Sequence, residues 1–130
     1  MKKTIEVVAA VIYDGDKVFC TQRPNRGGLA LKWEFPGGKI EAGETREEAL
    51  KREIREELNS EVLVEEYLLT VEHEYNTFHL TMYCYKCKLL SGNLDLNEHI
   101  NSKWVRIKDL KLLDWAAADI GIIERLEELV

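Results

Sequence analysis

Residues 37–58 read GGKIEAGETREEALKREIREEL, a glycine-rich turn running into a strongly acidic helix. At about 100° per residue, Glu53, Glu56 and Glu57 fall on one helical face. Like charges three and four apart repel and weaken a helix, so a divalent cation is the obvious candidate to offset them. Leu50, Ile54 and Leu58 form an apolar line at i, i+4, i+8, centred about 100° from the glutamates. The helix is therefore expected to pack by one side and offer carboxylates from an adjacent side. Thr45 and Glu48 have the spacing of a capping box, with Thr45 as N-cap. Asn59, tolerant of the left-handed conformation, ends the helix. Lys51 and Arg55 take the solvated flank, and Glu47–Lys51 and Glu48–Arg52 are spaced for i,i+4 pairing.

On either side of this helix the chain reads mostly as strands. Residues 5–13 (IEVVAAVIY) are almost continuously apolar and suit a strand buried on both faces. Asp14-Gly15-Asp16 turns the chain into a second strand at 17–22, making a hairpin. A loop follows at 23–28, then a third strand at 29–35 that Pro36-Gly37-Gly38 breaks. Residues 39–44 read as a second loop. Past the helix, strands are expected at 61–71, 77–89 and 102–107, with a helical turn at 108–113. A closing helix is expected at 120–129, with Asp119 as a possible N-cap and Ile122, Leu126 and Leu129 as its buried stripe. Strands and helices do not alternate regularly, which argues for α+β, a mixed sheet between helices. No repeat or linker interrupts the 130 residues, so one domain, 1–130, is expected.

The net charge of −6 carries no basic stripe, which argues against gripping a nucleic acid polymer. An acidic protein can still bind a phosphorylated small molecule when metal ions bridge the two sets of negative charge. No apolar run is long enough to span a bilayer. No secretion signal is evident, so a cytoplasmic location is expected. Three cysteines, an odd number, argue against a disulfide framework. Cys84-Tyr85-Lys86-Cys87 has C-x-x-C spacing, but on a strand the two sulfurs point to opposite faces. The cysteines are read as small apolar packing residues rather than zinc ligands. His73, His79 and His99 have no evident partner.

Several carboxylates with no cysteine or histidine among them suit Mg²⁺, or Mn²⁺, and phosphoryl chemistry. Gly37 and Gly38 allow close backbone approach to a metal or phosphate. Arg52 can orient a carboxylate or neutralise phosphate charge.

The same stretch resembles the Nudix box, G-x5-E-x7-R-E-U-x-E-E-x-G-U with U a bulky aliphatic residue. Gly38, Glu44, Arg52, Glu53, Ile54, Glu56 and Glu57 fall in register, while Asn59 replaces a glycine and Ser60 an aliphatic residue. The resemblance is strongest to the MutT-type nucleoside triphosphate pyrophosphohydrolases and extends to Trp33-Glu34-Phe35-Pro36-Gly37-Gly38-Lys39, to Glu98 before Trp104, and to Ala118-Asp119-Ile120. It implies an α/β/α sandwich. It implies Mg²⁺ held by Glu53, Glu56, Glu57, a carbonyl of Gly37 or Gly38, and Glu98. Water then attacks the β-phosphorus, giving monophosphate and pyrophosphate.

The resemblance leaves Glu53, Glu44 and Glu98 as candidate general bases, with Glu53, oriented by Arg52, preferred and Glu44 in support. Arg23 and Lys39 are expected at the phosphates or base edge, with Glu34, Phe35, Phe78 and Asp119 also substrate-binding. Phe35 either stacks on the base or belongs to the core. Phe78 stands where guanine-specific relatives can carry arginine. Asp119 reads the base as an acceptor if ionised, and as a donor too if protonated. Oxidised guanine triphosphates and cytidine-type triphosphates are both implied as substrates. ADP-ribose-like substrates and a purely nucleotide-binding domain are the other readings, and the assembly is expected to be a monomer or homodimer.

Overall fold

The computed structural model describes residues 2–130. The strands are β1 (Lys3–Asp14), β2 (Lys17–Gln22), β3 (Trp33–Glu34), β4 (Gly37–Lys39), β5 (Glu61–Glu74), β6 (Phe78–Ser91) and β7 (Asn101–Arg106). The helices are α1 (Arg46–Leu58) and α2 (Ile120–Glu128), with 3₁₀ turns at Ile107–Leu112 and Ala117–Asp119. The strands form one mixed sheet in the order β3-β2-β1-β6-β5, with β4 pairing with β1 and β7 with β2. β1 and β6 run parallel, and the remaining pairs are antiparallel.

β1 explains the layering. Val8 to Ile12 are all buried, and their side chains alternate between faces. Ala9 and Val11 join Ile122, Ile123 and Leu126 of α2, while Val8, Ala10 and Ile12 join Leu50, Ile54 and Leu58 of α1. The two helices therefore cover opposite faces of the sheet, the α/β/α sandwich that the sequence implied. Leu50, Ile54 and Leu58 are wholly buried, which contributes roughly 1.5–3 kcal/mol per side chain. The cysteines also follow this alternation. Cys84 packs with the α2 layer and Cys87 with the α1 layer, so they share no metal. Burial pushes the Cys20 and Cys87 thiols up to about 12, so all three cysteines pack as inert apolar groups.

α1 begins and ends as its sequence dictates. Thr45 accepts from the Glu48 amide, Glu48 accepts from the Thr45 amide, and Asn59 takes the left-handed conformation with φ 48°. Neither expected i,i+4 pair forms among the described residues. Glu48 is engaged by the cap, and Arg52 turns instead to Glu44 ahead of the helix and to Glu53 and Glu56 along it.

Three local expectations are corrected. Residues 29–32 are not strand: Leu31 has φ 63° and the Lys32 amide bonds back to the Leu29 carbonyl, so only Trp33–Glu34 pairs with β2. Gly37–Lys39 is not loop but β4, in register with β1 as Val8↔Gly38 and Ala9↔Gly37. In α2, Ile123 is buried while Leu129 is 48% exposed, so the stripe is Ile122, Ile123 and Leu126. Among the described residues no helix is long and apolar enough to cross a membrane.

Candidate active site

The strand switch at Pro36 builds the floor of the site. β3 pairs with β2, the Pro36 carbonyl accepts from the Ala10 amide at 2.8 Å, and β4 then pairs with β1. A Cβ on Gly37 would lie 1.9 Å from the Val8 carbonyl oxygen. A Cβ on Gly38 would lie 2.4 Å from the Glu53 carboxylate. At Gly37 the β1 backbone passes where a side chain would stand, so glycine is required there, and at Gly38 the missing side chain lets the Glu53 carboxylate lie against β4.

Arg52 organises the acidic face. Its Nε donates to Glu44 Oε2 at 2.7 Å and its Nη2 to Glu44 Oε1 at 3.0 Å and to the Lys39 carbonyl at 2.9 Å. Its Nη1 donates to Glu53 at 2.9 Å and lies 3.3 Å from Glu56. The Arg52 side chain holds the Glu44 carboxyl below the usual carboxylate range. Glu44 therefore fixes Arg52, and Arg52 fixes Glu53. The three helix glutamates differ sharply in exposure: the Glu56 side chain is 58% exposed, that of Glu53 13%, and residue Glu57 only 7%.

Burial, and then the neighbouring Glu53, Glu98 and Glu34 carboxylates, push Glu57 up to about 9. Glu98 reaches this corner because its loop is bolted to α1. The Asn97 amide donates to the Glu57 carbonyl at 3.0 Å, and Asn97 Nδ2 donates to the Glu56 carbonyl at 2.9 Å. Ser60 has a part that the sequence did not suggest. Its buried hydroxyl bonds the Leu58 carbonyl and accepts from the Leu94 amide, tying the same loop to the helix end.

A cavity of about 530 Å³ opens beside these groups. It is lined by Gly37, Gly38, Glu57 and Glu98 at one end and by Arg23, Glu34, Phe35, Tyr75, Phe78 and Asp119 along its walls. Three buried polar side-chain atoms lack a partner among the described residues: Arg23 Nε, Glu57 Oε2 and His99 Nδ1. All three belong to residues that line this cavity. Orphaned polar atoms gathered at one place call for a ligand.

A hard cation suits this corner: the donors are carboxylate and backbone oxygens, Glu57 Oε2 is unpartnered, and the bare Gly38 backbone lets the Glu53 carboxylate lie close to it. No three acidic, imidazole or thiol groups already converge on one point among the described residues, since Glu53 is turned towards Arg52.

Lys39 is not brought to the cavity. It is exposed and lines a separate shallow groove with Lys3 and Glu41. Phe35 is both core and wall, 3% exposed, stacked on Trp115 at 4.8 Å. Phe78 stacks on Tyr75 at 4.9 Å. Asp119 occupies the N-cap position of α2, but its side chain makes no cap bond and instead accepts from the Phe35 amide at 2.8 Å. Burial raises its carboxyl well above the usual range, with the Glu34 charge adding to the shift. Two histidines do have partners. His79 pairs with Glu72 and Glu74, and His99 bonds Glu34 at 2.9 Å across the cavity wall. Nothing in the local sequence links residue 99 to residue 34.

The NUDIX domain family model matches residues 7–125. The chain is 36% identical over 122 residues to the CTP pyrophosphohydrolase of Escherichia coli, covering 94% of this chain and 90% of that protein. It is 30% identical over 129 residues to the 8-oxo-dGTP diphosphatase of the same organism, covering 99% of this chain and all of that one. Among solved structures, MutT of a methicillin-resistant Staphylococcus aureus, named a Nudix hydrolase, superposes with TM-score 0.81 at 42% identity over the whole of both chains. The glycine floor, the Arg52-centred acidic face and these likenesses agree: the chain belongs to the Nudix family of hydrolases.

Proposed function

We propose that this single domain is a Mg²⁺-dependent nucleoside triphosphate pyrophosphohydrolase that cleans the cytoplasmic nucleotide pool, releasing monophosphate and pyrophosphate. The observation that carries this reading is Glu57, a buried carboxyl with an unpartnered oxygen, placed between Glu53 and Glu98 where a cavity meets a glycine floor. Glu53, Glu56, Glu57, Glu98 and a carbonyl of Gly37 or Gly38 would hold the ion, with Mn²⁺ as a substitute. When bound, it supplies charge neutralisation and Lewis acidity to the phosphate chain. Glu53 takes the proton of the attacking water, and Arg52, braced by Glu44, keeps its carboxylate aimed. Arg23 faces the phosphates, while Phe35 and Phe78 form an apolar bed for the base.

Glu57 makes metal binding sensitive to pH. Its folded pKa, about 9, lies above the ordinary value of 4.5. A carboxyl raised in the folded state stabilises most below its unfolded pKa, and that stability is lost as pH rises through the folded value. The metal-free protein should therefore lose stability between about pH 4.5 and pH 9. Binding Mg²⁺ at pH 7 should release close to one proton, and affinity should rise about tenfold per pH unit up to the folded pKa. Calorimetry in two buffers of different ionisation enthalpy measures this. An affinity flat between pH 7 and 9 with no proton released would remove Glu57 from the ligand set.

The preferred substrate is an oxidised guanine triphosphate of the 8-oxo-dGTP type, with cytidine-type triphosphates as the second reading. Asp119 supports a base that presents an acceptor, because burial raises its carboxyl towards the protonated form, which can donate as well as accept. Asparagine has the same donor and acceptor pair and can still accept from the Phe35 amide. Asp119→Asn should keep kcat/KM within about tenfold, whereas Asp119→Leu, which also orphans that amide, should cost at least about a hundredfold. A panel of kcat/KM values across normal and oxidised triphosphates with Mg²⁺, for wild type and both variants, tests the assignment. Absence of pyrophosphate release from every triphosphate would overturn it.

A further inference from the structure

The proposed mechanism leaves one buried cavity residue without a role. His99 has a side chain only 5% exposed and lies on the loop between Asn97, which is clamped to α1, and Ile100, whose amide donates to the Gln22 carbonyl at 3.0 Å. Its Nε2 donates to Glu34 Oε2 at 2.9 Å. The other oxygen of that carboxylate, Oε1, accepts from Arg23 Nη1 at 3.3 Å. Glu34 is itself set in β3, where its carbonyl accepts from the buried Thr21 hydroxyl at 2.8 Å. Arg23 depends on this carboxylate, because its Nε is buried without a partner and Glu34 is its one side-chain ion pair among the described residues.

We propose that His99 is a positioning residue that, through Glu34, holds the Arg23 guanidinium at the nucleotide-binding wall of the cavity. The physical reason is the division of one carboxylate between two donors. With Oε2 fixed by His99, Glu34 has one orientation and offers Oε1 to Arg23. Without that bond Oε2 is free, the carboxylate rotates, and the 3.3 Å contact loses its anchor. His99 also belongs to the loop that brings Glu98 beside Glu57, so one side chain ties the nucleotide wall to the acidic corner. The inference rests on the proposed nucleotide hydrolysis and deepens it.

The test uses His99→Phe, which fills the buried space without a hydrogen bond, and His99→Gln, whose amide nitrogen reaches the place of Nε2. Glu34→Gln and the double variant His99→Phe/Glu34→Gln complete a cycle. Calorimetry measures binding of 8-oxo-dGMP and CMP without Mg²⁺. Steady-state kinetics with Mg²⁺ separates KM from kcat, and thermal melting reports the fold. His99→Phe is expected to weaken monophosphate binding and raise KM by about tenfold, with kcat within about threefold. His99→Gln should recover most of that loss, and the double variant should be no worse than Glu34→Gln alone.

Wild-type affinity and KM in His99→Phe would overturn the proposal. So would a His99→Gln as impaired as His99→Phe, because that pattern means ring packing rather than a hydrogen bond. Additive losses in the double variant would overturn the route through Glu34. A wild type that binds neither monophosphate and hydrolyses no triphosphate would bring down the function and this inference together.

Discussion

Replacing Glu53 with glutamine is expected to lower kcat by about 10³- to 10⁴-fold while the protein still folds. The substitution is nearly isosteric. Arg52 Nη1 now donates to Glu53 Oε1 at 2.9 Å and can donate equally to an amide oxygen. The amide also fits the space beside Gly38, where a carboxylate already stands. What disappears is the negative charge and the basicity. A glutamine cannot take a proton from water and is a poorer partner for a hard cation. Pyrophosphate release with saturating Mg²⁺ measures the loss, and an unchanged melting temperature separates it from unfolding. Undiminished hydrolysis would show that Glu53 is not the base and would move that role to Glu98, because Glu44 is already committed to Arg52.

Why Glu53 could be singled out from the sequence, and His99 could not, is a matter of range. The acidic helix is local physics. Its cap, its apolar line and its left-handed end all lie within residues 45–59, and each appears where the residue types demand. The buried strand at 5–13 was equally plain, because a run of β-branched residues needs no partner to be recognised. β4 was hidden because glycine and proline normally punctuate, and only the Val8 carbonyl across the sheet makes those glycines strand residues. The 29–32 segment looked extended until Leu31 adopted positive φ. In the site, residues of the box were legible as a set. Asp119 stands at the N-cap position of α2 as read, but its side chain bonds the Phe35 amide instead of the helix. The pairs Glu34–His99 and Asp119–Phe35 join distant stretches, and no periodicity encodes them.

Gly37→Ala is expected to cost more than about 3 kcal/mol of stability and to lower Tm by more than about 10 °C. The new methyl would stand 1.9 Å from the Val8 carbonyl oxygen and 2.9 Å from Ala9 Cα, both backbone atoms in the buried part of β1. No side chain can rotate away, so β4 must leave β1. Two neighbouring glycines provide the contrast. Gly43 has φ +84° with open space around it, so alanine there costs only about 1 kcal/mol of backbone strain. Alanine at Gly38 meets the end of a flexible side chain, Glu53, so the fold should persist while activity falls. Chemical denaturation of the three variants alongside the kinetic assay resolves the pattern. A Gly37→Ala protein as stable as wild type would contradict the β1–β4 register.

The parallel pairing of β1 with β6, from Lys3↔Phe78 to Tyr13↔Lys88, also governs the order in which a growing chain becomes a working one. The ribosome makes β1 early, yet the strand that covers its whole length is translated only after the acidic helix and β5. Until then β1 has short partners along one edge alone, β2 and β4. Closing so long a loop is entropically costly and slow compared with hairpin formation. Asp119 comes later still, so the Phe35 amide waits for its acceptor until after β7 has been made. A nascent chain thus carries Glu53, Glu56 and Glu57 of α1 well before it has β6, the Glu98 loop and Asp119, which line the cavity beside them.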